Sequence, residues 1–436
     1  MSTKKPLARV VASLVANDGT MVETILDEDG KTSRFIVVQG DSCKEARDWT
    51  DGGLRYTPIS AENNLVRHQA LLLPSAVGTY GTEAELLESI AAYVARYVNL
   101  PEADRHIVGA YVLLSWVFDA FNELPYLRFK GDYGTGKSRA LIVVGSLCQK
   151  PFFASGASTV SPIFHTLDAF GTTLILDEAD FRFTDEKSEL VKILNNGNVK
   201  GFPVLRTHVT ETREFNPRAF TVFGPKIVAM RGEYQDAALE SRFVTITMAP
   251  GDVEGIPINL PKDQTTEARK LRNQLLAYRL RHRHHTAIAA DLGDTALEAR
   301  SRQILAPLLS VAPTGEARRA ILSRAHEHTA RTYTERRGTI EGLVLGILKE
   351  SLAAPDQDGV TVGNLAKALE HQHGDEIDRP ATSRYVGGVL KRLGIAVYRR
   401  HGVFVIASRQ EELLATLYKR FGISDEDTEP EARLTG

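Results

Sequence analysis

The sequence predicts an α/β protein built on a parallel sheet, with a small β-rich domain before this core and helical segments after it. Three observations predict that class. A glycine-rich loop at 131–138 stands between a strand pattern and a helix pattern, and an apolar run at 172–176 ends in two acids. Strand and helix patterns also alternate from about 125 to 250, which is typical of parallel strands joined by helical crossovers.

Composition limits the classes of protein that the chain can represent. Its 436 residues allow two to four domains, and 53 basic residues nearly balance 55 acidic ones, so any nucleic-acid surface has to be local. Cys43 and Cys148 are too few for a disulfide framework or a zinc cluster, and they suit a reducing, cytoplasmic environment. The longest apolar run, Ile107 to Phe118, is too short to span a bilayer, so we expect no membrane partner.

The first 78 residues predict the β-rich N-terminal domain. Strand patterns occupy Leu7–Leu14 and Phe35–Val38, and Asn17-Asp18-Gly19 and Asp29-Gly30 are typical of hairpin turns. Helical periodicity begins near Glu83, after a capping-box sequence that opens at Thr82. A second, more apolar helix follows Pro101, and both helices are assigned to a core domain over 79–258.

The glycine-rich loop has the pattern G-x-x-x-x-G-K-S, the phosphate-binding P-loop. A strand over Pro125–Lys130 leads into it, and a helix starts at its end, so backbone N–H groups and a helix N-terminus converge on one point. Arg128 and Lys130 are unusual for a central strand and are expected at its end. The residues predicted to bind ATP are Gly131, Gly134, Thr135, Gly136, Lys137 and Ser138, with Lys137 on the β- and γ-phosphates and Ser138 on Mg²⁺.

The apolar run at 172–176 predicts a central strand that delivers carboxylates to the metal. Asp177 is predicted to hold Mg²⁺, and Glu178 to polarise the attacking water. The sequence Asp177-Glu178-Ala179-Asp180 is also the motif of a large helicase superfamily. That interpretation is set aside, because no Ser-Ala-Thr motif and no late glycine–arginine motif follow.

Four segments in this order resemble the AAA+ ATPases: 131–138, 174–180, 224–230 and 239–246. Within that class the chain resembles minichromosome-maintenance helicases and the helicase-like domains of phage and plasmid primase–helicases, over about 120–310. The resemblance implies a ring, usually a homohexamer, in which Arg242 of Ser241-Arg242-Phe243 acts as an arginine finger on the neighbouring subunit's ATP. These relatives usually place a polar sensor where this chain has Met230 and Arg231, so Arg231 or another group would take that role.

The resemblance also implies a hairpin, over 199–222, that reaches DNA in the central pore. Two β-like runs flank a polar tip there. Among its residues, the candidates for DNA contact are Lys200, Arg206 and His208. Only His208 stands at the tip, whereas a helicase needs basic residues there, so helicase and loader both remain open.

The segment 259–337 is predicted to form a helical lid. Part of it resembles a lid helix whose arginine touches the γ-phosphate in cis, which makes Arg300 and Arg302 candidates. A solvated arginine on a helix face is the alternative for each. The cluster 279–285 predicts either a DNA contact or, preferably, a solvated helix face.

Residues 338–423 predict a winged helix, because three helix patterns precede two short strands around a basic turn. Protein contact is the alternative to DNA contact for this unit. The tail, 424–436, is acidic and predicted to be disordered. The residues of the winged helix predicted to meet DNA are Arg384, Lys391, Arg392, Arg399 and Arg400.

Together these patterns predict a ring-forming, ATP-driven DNA helicase or translocase that acts on single-stranded or forked DNA during replication of a phage, plasmid or other mobile element. The first alternative is a helicase loader or replication initiator that does not unwind DNA. The second is a DNA-binding switch whose ATP only controls assembly, against which Glu178 argues, since a switch does not need a catalytic carboxylate.

Overall fold

The computed structural model describes residues 8–179, 185–207, 215–251, 255–289, 297–353, 360–406 and 410–423. The chain divides into two compact units, residues 1–325 and 326–436. Within the described ranges, no helix has the length and apolar character needed to cross a membrane.

The first unit begins with seven short strands in two sheets. They are β1 (Ala8–Val11), β2 (Ser13–Val15), β3 (Met21–Leu26), β4 (Ser33–Gln39), β5 (Ser42–Ala46), β6 (Trp49–Asp51) and β7 (Leu54–Pro58). Strands β2 to β5 form an antiparallel sheet in chain order, and β7 pairs with β1 and β6. The structure places these strands in one compact unit with the sheet that follows, and the domain boundary at residue 78 stays a prediction.

Three helices connect these strands to the core: α1 (Asn64–Arg67), α2 (Glu83–Tyr97) and α3 (Glu102–Val117). The predicted capping box is present, since Thr82 Oγ1 accepts from the Glu85 N–H and the Glu85 carboxylate accepts from the Thr82 N–H. Helix α3 is buried on nearly every side, which is why its sequence is apolar all round rather than along one stripe.

The core is a five-stranded parallel sheet, as the alternating patterns predicted. Its strands are β8 (Tyr126–Lys130), β9 (Pro151–Ser155), β10 (Thr173–Asp177), β13 (Lys226–Met230) and β14 (Phe243–Thr247), in the spatial order β14-β8-β13-β10-β9. The intervening helices are α4 (Lys137–Gly145), α5 (Val160–Phe170), α6 (Asp185–Asn196) and α7 (Ala237–Glu240). Because all five strands are parallel, the loops after β8, β10 and β13 meet at one edge.

A two-stranded antiparallel hairpin stands between β10 and β13 along the chain, where a protruding hairpin was predicted. Its strands are β11 (Val204–Arg206) and β12 (Arg218–Phe220), paired between Arg206 and Arg218 at the distal end. The expected tip residue, His208, lies outside the described residues.

Lys226, the first residue of β13, anchors the base of this hairpin. Its side chain is fully buried, and its ammonium donates to the carbonyls of Gly197, Val222 and Gly224 at 3.1, 2.8 and 3.0 Å. These carbonyls stand on both sides of the hairpin. A single buried cation therefore joins the two chain segments that enter and leave it.

Replacing Lys226 with methionine should lower the free energy of unfolding by about 3 kcal/mol, because three buried carbonyls lose their donor together. Urea-induced unfolding of Lys226→Met would measure this loss. The matched control is Lys270→Met, at an exposed lysine of the first unit, which should stay within about 0.5 kcal/mol of the parent. Equal stability of both variants would contradict the anchoring role.

Arg128 corrects one prediction from the sequence. It was expected at the end of its strand, but it lies in the middle of β8 and is only 2 % exposed. The guanidinium forms a bidentate ion pair with Glu240 of α7 and donates to Thr245 of β14. A buried partner from a distant segment is what permits a charge in a central strand. Lys130 does end the strand, as expected.

Three helices follow the sheet: α8 (Asp263–His282), α9 (Ala299–Val311) and α10 (Gly315–Arg337). The first residue of the basic cluster 279–285, at the end of α8, is neither on a solvated face nor free to contact DNA. Arg279 is buried and ion-paired with Glu23 of β3 at 2.5 Å and with Asp119 at 2.8 Å. This arginine thereby ties the N-terminal sheet to the core.

The second unit has its own apolar core. Its elements after α10 are α11 (Ile340–Ala353), α12 (Val362–His373), α13 (Ser383–Arg392), β15 (Val397–Arg400), β16 (Val403–Ile406) and α14 (Glu411–Phe421). The three predicted helices and the antiparallel hairpin occur in the predicted order. Helix α14 was not predicted, and the winged-helix assignment stays a prediction. The acidic tail lies outside the described residues.

Candidate nucleotide site

The P-loop connects β8 to α4 in a conformation that only glycine accommodates at three positions. Gly134 and Gly136 have φ values of 77° and 85°, in the left-handed region. A Cβ on Gly131 would lie 2.3 Å from the carbonyl oxygen of Met248. Backbone geometry therefore favours glycine at all three positions of the motif.

Helix α4 begins at Lys137 without a side-chain cap, so its first N–H groups remain available to an anion. The Lys137 ammonium donates to the carbonyl of Asp132 at 2.6 Å, and Thr135 Oγ1 donates to the same oxygen at 2.9 Å. Ser138 is exposed in the first turn. The lysine thus lies over its own loop, where an incoming phosphate would take the place of the carbonyl.

The two acids follow β10 at the same edge of the sheet. Asp177 ends the strand and accepts from the Glu178 N–H at 2.9 Å. Glu178 has a φ of 54°, a left-handed conformation that is uncommon outside glycine and clusters at functional sites. This turn presents both carboxylates beyond the end of the strand. The oxygens of Asp177 and Ser138 are of the type that Mg²⁺ prefers, so these residues fit a magnesium ion.

Strand β13 separates β8 from β10 and brings Arg231 to the P-loop. Its guanidinium lies 4.4 Å from the ring centroid of Tyr133 and also bonds to the Tyr133 hydroxyl. Tyr133 stands within the loop and is 79 % exposed. Tyr133 was not among the predicted site residues, although an aromatic residue at a variable P-loop position is a signal visible in the sequence. Arg231 is placed where the sensor was expected, and that role remains a prediction.

Arg242 lies at the amino-terminal ends of the strands, whereas the P-loop and the two acids follow their carboxyl ends. Its backbone carbonyl accepts from the N–H of Tyr126, the first residue of β8, whereas the P-loop follows the last. The five residues of β8 separate these two ends of the sheet by about 15 Å. Arg242 is therefore not at the P-loop of its own chain.

The surroundings of Arg242 leave its guanidinium incompletely bonded. It donates to the Asn195 side chain, and its Nε has no partner among the described residues. Burial lowers the pKa of this guanidinium, and the charge of Arg300 acts in the same direction. Arg242 therefore lies near a second positive charge, although Asp236 and Glu123 act on it in the opposite direction.

Arg300 stands beside Arg242 and not beside the P-loop. Its Nε donates to Ser241 Oγ at 2.7 Å, and its terminal nitrogen donates to the Ala238 carbonyl at 3.3 Å. These contacts do not support the expected contact with the γ-phosphate in cis. Arg302 is half-buried on the same helix, and its expected role stays a prediction.

The Arg128–Glu240 pair connects the two edges. Arg128 belongs to the strand that leads into the P-loop, and Glu240 ends the helix that directly precedes Arg242. The same Glu240 carboxylate accepts from the Tyr234 N–H at 3.0 Å. The position of Arg242 is thus set by a buried ion pair to the P-loop strand.

Among the described residues of the hairpin, two of the predicted basic residues are engaged in contacts, and large apolar side chains are exposed. Lys200 donates to the Asp119 carbonyl at 2.8 Å, and Arg206 pairs with Glu189 at 3.0 Å. By contrast, Phe202 and Phe215 are 64 % and 78 % exposed, and Leu205 is also exposed. These three were not among the predicted residues, because only positive charge was taken as the sign of DNA contact.

In the second unit, most predicted DNA-contact residues are at the surface. Arg392 pairs with Glu341 at 2.8 Å and is therefore already engaged. Tyr398 and Phe404 of the terminal hairpin are exposed as well. The other predicted residues are all exposed, namely Arg384, Lys391, Arg399 and Arg400.

No protein-family model and no curated protein matches the sequence. Among solved structures, the apo C-terminal region of NrS-1 is similar at 13 % identity and a TM-score of 0.36, over 89 % of this chain and 96 % of that one. The active helicase Cch of SCCmec type IV is similar at 12 % identity and a TM-score of 0.41, over 95 % and 82 %. The JCV helicase is similar at 14 % identity and a TM-score of 0.26, over 57 % and 61 %. At these scores the similarity does not establish a shared function, so function has to follow from the residues of the site.

Proposed function

We propose that the chain binds ATP with Mg²⁺ and hydrolyses it. The observation that carries this proposal is the meeting of the P-loop with Asp177 and Glu178 at one edge of a parallel sheet. Lys137 and the α4 N-terminus would bind the phosphates, and Ser138 and Asp177 would hold the metal. Glu178 would orient and polarise the attacking water, which is the group that phosphoryl transfer to water needs.

We further propose that the active form is a ring of identical subunits, a hexamer by resemblance. Support comes from Arg242, which lies roughly one strand length from the P-loop of its own chain. In a ring, that edge would face the nucleotide of the next subunit. Arg300 would stand beside Arg242 at the same interface, on the evidence of its bond to Ser241.

The work coupled to hydrolysis is proposed to be translocation on DNA, as a helicase of a phage, plasmid or other mobile element acting in the cytoplasm. The hairpin of β11 and β12 is the candidate element that moves, and its exposed Phe202 and Phe215 suit stacking on unpaired bases. A loader or initiator remains the second candidate, favoured by the engagement of Lys200 and Arg206 in contacts of their own.

Hydrolysis and strand displacement on forked DNA test this proposal together. We expect the parent protein to hydrolyse ATP only with Mg²⁺ and to displace the strand, and Lys137→Ala to lose nucleotide binding and both activities. The exposed Lys192→Ala on α6 is the control and should keep them. Hydrolysis without displacement would select the loader, and absence of Mg²⁺-dependent hydrolysis would overturn the proposal.

The second unit is proposed to add DNA affinity through the hairpin of β15 and β16. Removing two phosphate contacts in Arg399→Gln/Arg400→Gln should reduce the slope of log affinity against log salt by about 2. Fluorescence anisotropy with duplex and single-stranded DNA at several salt concentrations would measure the slope. Lys367→Gln/Lys419→Gln removes the same charge from exposed helical positions of this unit and should leave the slope unchanged. Equal slopes for parent and both variants would assign this hairpin to protein contact.

A further inference from the structure

The first unit contains a cavity of about 780 Å³ that the nucleotide site does not use. It is formed by the turn after β3, the segment 61–75, the side of α4, β9 and the start of α8. Its volume falls within the range of small-molecule sites in proteins, about 300–1,000 Å³.

Arg272 of α8 lines this cavity and carries a buried charge without a counter-charge. The side chain is 6 % exposed, and one terminal nitrogen donates to the Ser146 carbonyl at 2.7 Å. Its Nε has no partner, and among the described residues no carboxylate forms an ion pair with it or acts on its charge. A buried guanidinium is normally paired with a carboxylate, because moving an unpaired ion out of water costs on the order of several kcal/mol.

Arg269 lies one helical turn before Arg272 and lines the same cavity. It donates to a backbone carbonyl, that of Glu28, at 2.9 Å, and not to a carboxylate. Burial lowers the pKa of Arg272 to about 10, and the charge of Arg269 contributes in the same direction. Each guanidinium thus raises the free-energy cost of burying the other. An anion bound between them would remove that added cost.

The acids around the cavity do not supply that anion. Asp27 accepts from the backbone N–H groups of Lys31 and Thr32 at 2.8 and 3.0 Å, and Asp29 pairs with Lys31 at 3.3 Å. Both carboxylates therefore stabilise the turn that contains them and are not available to Arg269 or Arg272. The carboxylates of Glu28 and Glu62 belong to exposed residues at the rim, as does the cation of Arg67.

Apolar side chains complete the walls. Leu71 and Phe153 line the cavity from the sheet side, and Ile142 lines it from α4. A ligand held only by charge would not need these surfaces. The lining therefore suits a molecule with an anionic end and an apolar body.

We propose that this cavity is a second ligand site, which binds a small molecule carrying a phosphate or carboxylate group on an apolar body, with the anionic group held by Arg272 and Arg269. Charge-assisted bonds from two guanidinium groups provide the recognition. The site is separate from the P-loop, and the proposal does not depend on ATP hydrolysis.

Calorimetric titration of the full chain carrying Lys137→Ala tests the site with the P-loop disabled. Phenyl phosphate is the phosphate probe and benzoate the carboxylate probe, since each joins one anionic group to an apolar ring. We expect one of them or both to bind at a single site, and adding Arg272→Met to weaken that binding at least about tenfold, the loss of one charge-assisted bond. Arg318→Met, at a half-buried arginine outside the cavity, is the matched control and should leave binding unchanged.

Ile142→Trp provides a second route, because it fills the cavity from an exposed position of α4 without removing either arginine. It should abolish probe binding as well, which keeps the test decisive if Arg272→Met fails to fold. Binding of phenyl phosphate alone would assign a phosphate ligand, and binding of benzoate alone a carboxylate. Failure of both probes to bind, or binding that survives Ile142→Trp, would overturn the proposal.

Discussion

Arg242→Ala is expected to reduce ATP turnover by about 10³-fold or more while leaving ATP binding intact. An arginine supplied in trans stabilises the charge that develops on the transferring phosphoryl group, and its removal typically costs 10³–10⁵ in rate, an order-of-magnitude range. The distance of Arg242 from its own P-loop means that nucleotide affinity of the isolated subunit should not change. Steady-state turnover and ATP binding, measured on the same preparation, separate these effects.

Mixing Arg242→Ala protein with Lys137→Ala protein tests whether the arginine acts between subunits. Each inactive variant carries the intact half that the other lacks, so a fraction of mixed interfaces should regain activity. The control is Arg319→Ala, at an exposed arginine of α10, which should turn over ATP at the parental rate. Complete absence of recovery in mixtures shown to co-assemble would count against a finger in trans, and so would loss of ATP binding in Arg242→Ala.

Glu178→Gln is expected to retain ATP binding and lose turnover by about 10²–10⁴-fold, the contribution of a positioned general base. The amide keeps the size of the side chain and one acceptor oxygen, but it cannot accept a proton from water. Because glutamine tolerates the left-handed backbone at this position no worse than glutamate, the fold should be unaffected. Single-turnover hydrolysis with prebound ATP is the measurement that isolates the chemical step.

The carboxylate control is Glu350→Gln, at an exposed glutamate of the second unit, with parental turnover expected. Retained single-turnover rate in Glu178→Gln would assign the water-polarising role to another group. Loss of binding together with turnover would instead indicate that Glu178 supports the backbone of the site. The expected result and this loss of binding both abolish turnover, and the ATP titration distinguishes between them.

The predictions from sequence that agree with the structure are those encoded within a short stretch of chain. The P-loop glycines, the acidic strand end and the capping box at Thr82 depend on residues a few positions apart. The alternation of strand and helix patterns likewise indicated the parallel sheet, because period and turn residues are local properties.

Charged residues were the main source of error. Arg128 was assigned to a strand end, and Arg279 to a solvated face or a DNA contact. The structure pairs the first with Glu240 and the second with Glu23. An arginine looks the same in the sequence whether it is buried in an ion pair or exposed to solvent, so the sequence could not distinguish these settings.

The sequence by itself determined the parallel-sheet core, the order of its strands and helices, and the loop and strand ends proposed to bind phosphate and metal. Only the tertiary structure decided where each arginine acts. The partners of Arg128 and Arg279 lie 112 and 256 residues away along the chain, and the cavity at Arg272 is built from five separate segments. The physical reason is that backbone conformation follows from neighbours in sequence, whereas the energy of a buried charge depends on groups that only the packed fold brings within hydrogen-bonding distance.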